Sequence, residues 1–264
     1  MLTTPTKHYF LKYANFLALL LLTAACTDHE PQPETDPLPV AAVNERLLLE
    51  STQFYPTKAI EYNPDKTVKK FQIGQAGNVI DVAYTSTTVI YSMSLNGKIV
   101  NKYVYEMENK VAKKVTFYQV DNNGNEISIL TVAYSYKKGK LFKEIYSGEA
   151  EGYIEHYYDD LNENLKYSQS FDKNGVPETK TTFEYTNQID KSGSLTQDQD
   201  QSNGFMDGTL FPRKFKYLIK KRIMEGASPL KSDFTYVLDQ QGYVTSGTRT
   251  DDNGDVTNWT NTWQ

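Results

Sequence analysis

Side chains able to do covalent or acid–base chemistry are few in this 264-residue chain. Cys26 is its single cysteine, and of three histidines only His156 lies in the regularly patterned part. A zinc centre needs several such ligands. With one histidine and no cysteine there, neither a zinc site nor a Cys–His or Ser–His–Asp arrangement is expected. His156 instead reads as a packing residue on a strand between Ile154 and Tyr158. The conspicuous carboxylates sit in turns. Asp121-Asn122-Asn123-Gly124-Asn125-Glu126 and Asp198 to Gly204 have the look of calcium loops. An EF-hand loop, however, needs glycine at its sixth position and a closing glutamate at its twelfth, and neither segment supplies both. The expected catalytic, metal and cofactor assignments are therefore none.

Two groups remain as candidate ligand contacts. Trp259 and Trp263 lie four residues apart, hence on one face of a final strand, where exposed indoles would form a platform for sugar rings. Lys220, Lys221 and Arg222 end a run of six cations between Arg213 and Arg222. Together with the loop from Asn187 to Thr209, poor in apolar residues, they are expected to form a mobile rim that meets anionic lipid headgroups.

The N-terminus supplies an address. Lys7 and Lys12 precede an apolar run from Phe16 to Leu22, and small residues lead to Cys26. That is the order of a secretory signal, too short to span a bilayer. Leu22-Thr23-Ala24-Ala25-Cys26 resembles a bacterial lipobox, which implies cleavage before Cys26 and acylation of its thiol. Residues 1–25 then form the signal and 26–43, with four prolines among small and acidic residues, an extended tether. Removing the signal takes away two of the 28 basic residues and none of the 33 acidic ones, so the remaining chain carries a net charge of −7. Such mild acidity argues against a nucleic-acid partner.

These residues need a scaffold, and 44–264 reads as one all-β domain. Asn96-Gly97, Asn123-Gly124, Asn174-Gly175 and Asn253-Gly254 mark tight hairpin turns. Between such turns the period is two: Thr179, Thr181, Phe183 and Tyr185 share one face, and Leu130, Val132, Tyr134 and Tyr136 another. No segment keeps a helical period. The Leu47-Leu48-Leu49 cluster fits a short helix or a first strand equally well.

Tyr236 to Thr245 and Tyr134 to Leu141 resemble the hairpins of YD-repeat proteins. With the lipobox and the Leu210-Phe211-Pro212 step, they are similar to a family of uncharacterised bacterial lipoproteins. That resemblance implies a porin-like, strongly curved antiparallel sheet. The expected fold is a single antiparallel meander of about a dozen strands, curved or half-closed. The expected role is that of an outer-membrane lipoprotein, a non-enzymatic binding or scaffold module for a glycan, a lipid or an envelope partner. The alternatives are an envelope glycan hydrolase with two facing carboxylates, and a purely structural assembly partner.

Overall fold

The computed structural model describes residues 46–53, 57–74, 78–161, 164–191 and 210–264. The expected signal, Cys26, the tether and the 192–209 part of the expected loop lie outside the described residues. Sixteen strands follow one another: β1 Leu48–Ser51, β2 Thr57–Tyr62, β3 Val68–Ile73, β4 Asn78–Tyr84, β5 Thr88–Leu95, β6 Lys98–Glu108, β7 Val111–Val120 and β8 Glu126–Lys137. Then come β9 Lys140–Gly148, β10 Gly152–Tyr158, β11 Leu165–Asp172, β12 Pro177–Ile189, β13 Tyr217–Glu225, β14 Leu230–Leu238, β15 Val244–Asp251 and β16 Val256–Trp263. Every strand pairs antiparallel with its sequence neighbours, and β1 pairs with β16 to close a barrel.

The antiparallel meander is as expected, but sixteen strands and a closed ring replace the dozen strands and the half-barrel. The physical reason lies in β1. It has four residues, pairs Leu48 with Trp263 and Ser51 with Asn261, and joins segments more than 200 residues apart. Local periodicity carries no trace of such a pairing. Closure leaves the sheet without a free edge, which removes a route to aggregation.

Period two decides what fills the barrel. On β12, Thr181 and Phe183 point inward while Lys180, Thr182 and Glu184 point out. On β16, Trp259, Asn261 and Trp263 are buried and their neighbours face outward. One apolar cluster gathers Leu48, Phe71, Tyr91, Tyr105, Val115, Val132, Tyr134 and Trp263, and a second gathers Leu165, Phe215, Ile219, Phe234 and Trp259. At these levels the barrel is filled rather than hollow. Gly247 faces Trp259 across β15 and β16, where an added Cβ would stand 2.1 Å from the indole ring, so only glycine fits there.

Tyrosines finish one rim, called here the upper one. Near the end of an ascending strand, a tyrosine hydroxyl donates to a carbonyl at the start of the strand before it. Tyr62 reaches Leu48 at 2.6 Å, Tyr84 reaches Val68 at 2.9 Å and Tyr236 reaches Ile219 at 2.7 Å. Tyr136 does the same to Ala112, and Tyr185 to Leu165. Tyr84 stays exposed at the rim, while the other four rings are partly buried, and each hydroxyl satisfies a backbone acceptor, which accounts for the tyrosine-rich rhythm of the sequence.

The turn carboxylates serve the backbone. Asp121, Asp172 and Asp239 each accept backbone N–H bonds from residues two and four positions on. At Asp121 the Asn125 side-chain amide contributes most and the backbone bonds add to it; at Asp172 and Asp239 the backbone bonds lead, and all three are held below the usual carboxylate range. At the seam, Arg46 places Nη1 2.6 Å from Asp239 Oδ2, donates Nη2 to the Trp263 carbonyl at 3.2 Å, and lies over the Tyr243 ring.

Candidate functional site

Residues 210–216 form an inner strap along the upper barrel wall. The amide of Ala112 on β7 donates to the Leu210 carbonyl at 2.9 Å, and that of Leu165 on β11 donates to the Lys214 carbonyl at 3.0 Å. Phe211 packs edge-on against Tyr134, with ring centroids 4.7 Å apart, and Phe215 lies against Phe183 at 5.4 Å. Leu210, Phe211, Lys214 and Phe215 are all buried. Arg213 donates to the Asp190 carbonyl at 2.8 Å.

Beneath the strap lies a cluster of polar side chains on β9, β10 and β11. Glu144 Oε1 stands 3.5 Å from Lys214 Nζ and 2.8 Å from His156 Nε2. Tyr146 donates its hydroxyl to Glu144 Oε2 at 2.8 Å. The other ring nitrogen, His156 Nδ1, is 2.9 Å from Ser168 Oγ. Glu144 and His156 are both only 4% exposed, whereas Ser168 is partly exposed. Burial alone would raise the Glu144 pKa. The Lys214 ammonium and the hydrogen bonds from His156 and Tyr146 outweigh it and hold the carboxyl well below the usual range.

The expected exclusion of a Ser–His–carboxylate arrangement is thus corrected: one histidine suffices when strand pairing delivers its partners. Both partners are twelve residues from His156, one on each side. Hairpin register places all three on the inner face, Glu144 across from Ile154 and Ser168 across from His156. Sequence reasoning missed the set because that spacing identifies no partner until the turn lengths are known. Among the described residues, no cluster of three or more His, Cys, Asp or Glu side chains could hold a metal ion.

The other anticipated residues are dispersed. Trp259 is 2% and Trp263 9% exposed, and Trp263 donates its indole N–H to the Val244 carbonyl at 2.8 Å. Both indoles share the inner face, packed in different apolar clusters, so they form no open platform. The six cations divide among three environments. Arg213 and Lys214 belong to the strap, Lys216 donates its amide to Asn164, and Arg222 is buried inside near Ser232. Lys220 is exposed, and Lys221 faces outward 3.5 Å from Asp233.

Exposed aromatic surface lies instead on the outer wall of β10 and β11. Tyr153 stacks on Phe171 with centroids 4.6 Å apart, and Tyr157 on Tyr167 at 4.4 Å. Lys143 Nζ lies 3.6 Å from the Tyr153 centroid and Lys180 Nζ 4.7 Å from that of Tyr167. The rings stand edge-out, sandwiched between neighbours.

No protein-family model and no curated protein sequence matches the chain. Among solved structures, it is similar to a porin-like protein from Bacteroides uniformis ATCC 8492 with a TM-score of 0.59 and 17% identity, covering 85% of this chain and 99% of that one. A porin-like protein from Bacteroides vulgatus ATCC 8482 gives a TM-score of 0.56 and 13% identity over 82% of this chain and 98% of that one. At such identities the likeness is one of fold: the chain shares the architecture of porin-like β-barrels.

Proposed function

We propose that the chain is a lipid-anchored protein of the outer envelope whose barrel stands in water and serves as a binding or scaffold module rather than a pore. The observation that carries this reading is the charge on its outer wall. Lys70 meets Asp81 at 3.6 Å, Lys114 meets Glu106 at 2.5 Å, and Lys143 meets Glu155 at 3.0 Å. Lys102 and Glu126 pair as well. These contacts lie on outward positions between β3 and β10. A membrane-spanning barrel shows lipid an apolar band about 25 Å tall, and a lysine there costs roughly 2–4 kcal/mol at mid-depth. Spanning strands need about 9–11 residues; β6, β7, β8 and β12 reach that with 11, 10, 12 and 13, but β1 has 4 and β2 and β3 have 6 each, too few to cross on that side of the ring.

Attachment to the membrane then falls to Cys26. The outer Tyr153, Tyr157, Tyr167 and Phe171 patch is the surface such a module would present to a glycan or an envelope partner. Lys220 and Lys221, on the outer face of β13, are the cations we propose to meet anionic headgroups. Fractionation of cells making the full chain tests the reading. Wild type should sediment with membranes and take up radioactive palmitate. Cys26→Ala should do neither, and should remain in the supernatant without detergent. If the variant stays in the membrane until detergent is added, the wall is lipid-embedded and the proposal is wrong.

A further inference from the structure

The polar cluster under the strap has a chemistry that a purely structural role does not use. Three side chains on consecutive strands stand in line: Glu144 Oε1 to His156 Nε2 at 2.8 Å, and His156 Nδ1 to Ser168 Oγ at 2.9 Å. An ionised carboxylate accepts only, so Nε2 carries the proton that bonds Glu144. A second ring proton would put another positive charge beside Lys214 in a buried site. The ring is therefore neutral, with the Nδ1 lone pair toward Ser168. The serine hydroxyl then donates to Nδ1, which is the arrangement of a nucleophile facing its general base. Carboxylate and serine occupy the opposite nitrogens from those used in the familiar protease triads. A proton relay needs only that each nitrogen face its partner, and here both do.

Partial exposure of inner-face residues away from the strap marks the side from which solvent reaches the serine. Ser168 is partly exposed, as are Ser170, Ile154, Thr179 and Met224 on the same inner face. Thr181 lies directly across from Ser168 on β12. Hydroxyl groups suit a polyhydroxylated alcohol, while Ile154 and Met224 suit a short acyl group.

We propose that Ser168, His156 and Glu144 form a nucleophile, base and carboxylate relay that hydrolyses short-chain carboxylic esters of polyhydroxylated alcohols entering the barrel lumen. Ser168 Oγ forms a bond to the ester carbonyl carbon as its proton moves to His156 Nδ1. Collapse of the tetrahedral adduct breaks the bond to the alcohol oxygen, which leaves with that proton. Water, activated by the same nitrogen, then releases the acid and restores the serine. Glu144 stabilises the transient imidazolium, and Lys214 fixes Glu144 in place. This activity would be additional to the surface role proposed above and needs no lipid anchor, so the two readings fail separately.

The test uses the full chain with a small fluorophosphonate probe, followed by peptide mass spectrometry. The expected adduct maps to Ser168, is absent from Ser168→Ala, and forms on the order of 100-fold more slowly in His156→Gln. Prior incubation with p-nitrophenyl acetate should slow it in wild type. Ser168→Ala removes a single oxygen, and its melting curve reports whether the fold is intact. Should His156→Gln not fold, the wild-type mapping and ester protection decide alone. An adduct elsewhere, none at all, no protection by the ester, or an undiminished rate in folded His156→Gln would overturn the proposal.

Discussion

The tyrosine belt is where single side chains carry the most structural weight. Burial pushes Tyr62 and Tyr84 up to about 12, and Tyr136 and Tyr236 also rise well above the ordinary value, because a phenolate would lose water without gaining a donor. Their folded pKa lies above the unfolded value of about 10. The stability they confer is therefore complete below pH 10 and is lost as pH rises toward 12. Spectrophotometric titration at 295 nm should show two populations among the 20 tyrosines. The belt should form the later one, ionising only together with loss of the β circular dichroism signal. A single transition near pH 10 with the fold intact would show that the belt is not sealed.

For the elements, the strap is the piece whose attachment can be weighed. Lys214 and Glu144 are both about 5% exposed at their side chains. Removing one charge of a buried pair leaves the other uncompensated, at about 3–5 kcal/mol. Glu144→Gln should therefore lower the urea midpoint markedly at pH 7, and adding Lys214→Met should recover part of the loss. The folded carboxyl is held below its unfolded value of about 4.3. Its contribution is present above that pH and lost as pH falls further, so acidification from pH 5 to 3 should cost wild type more than Glu144→Gln. Equal losses would remove Glu144 from the account. Much of this layer was legible beforehand. Alternation grouped Thr179, Thr181, Phe183 and Tyr185 on one face, which the barrel turns inward, and Asn96-Gly97, with φ of 52° and 77°, is the hairpin turn its residue types demand. The strap was not, since Leu210 and Phe211 have no period and only burial reveals that they line the wall. Nor was the division of the cations: alternation turns Arg222 inward and Lys221 outward, and Lys220 is an extra residue of β13 between the Glu184–Lys221 and Tyr185–Ile219 pairs, which breaks the period there. Glu144, His156 and Ser168 needed two hairpin registers at once.

Across the whole molecule, fifteen of the sixteen strand pairings are between sequence neighbours, and one, β1 with β16, spans the chain. Neighbouring pairs form with little loop entropy, whereas the last pairing must close nearly the full length. Closure is thus expected late in folding. Leu48→Ala, at a fully buried seam position, should cost about 2–5 kcal/mol, chiefly through faster unfolding. Val132→Ala, inside the local β7 to β9 meander, should instead slow refolding. Stopped-flow fluorescence distinguishes them; equal effects of both on the refolding rate would place closure early.

Under the proposed attachment at Cys26, tension would reach β1 through Arg46, two residues before it. The strand immediately after it is the shortest in the ring and would be the first to peel under a pull. Arg46 stands upstream as a belay. Its guanidinium is tied to Asp239 in the turn between β14 and β15, to the Trp263 carbonyl and to the Tyr243 ring. Force arriving along the chain therefore meets several strands in parallel before it reaches the four residues of β1. With that proposed attachment, the clamp would act as strain relief, sparing the seam when the chain is tugged.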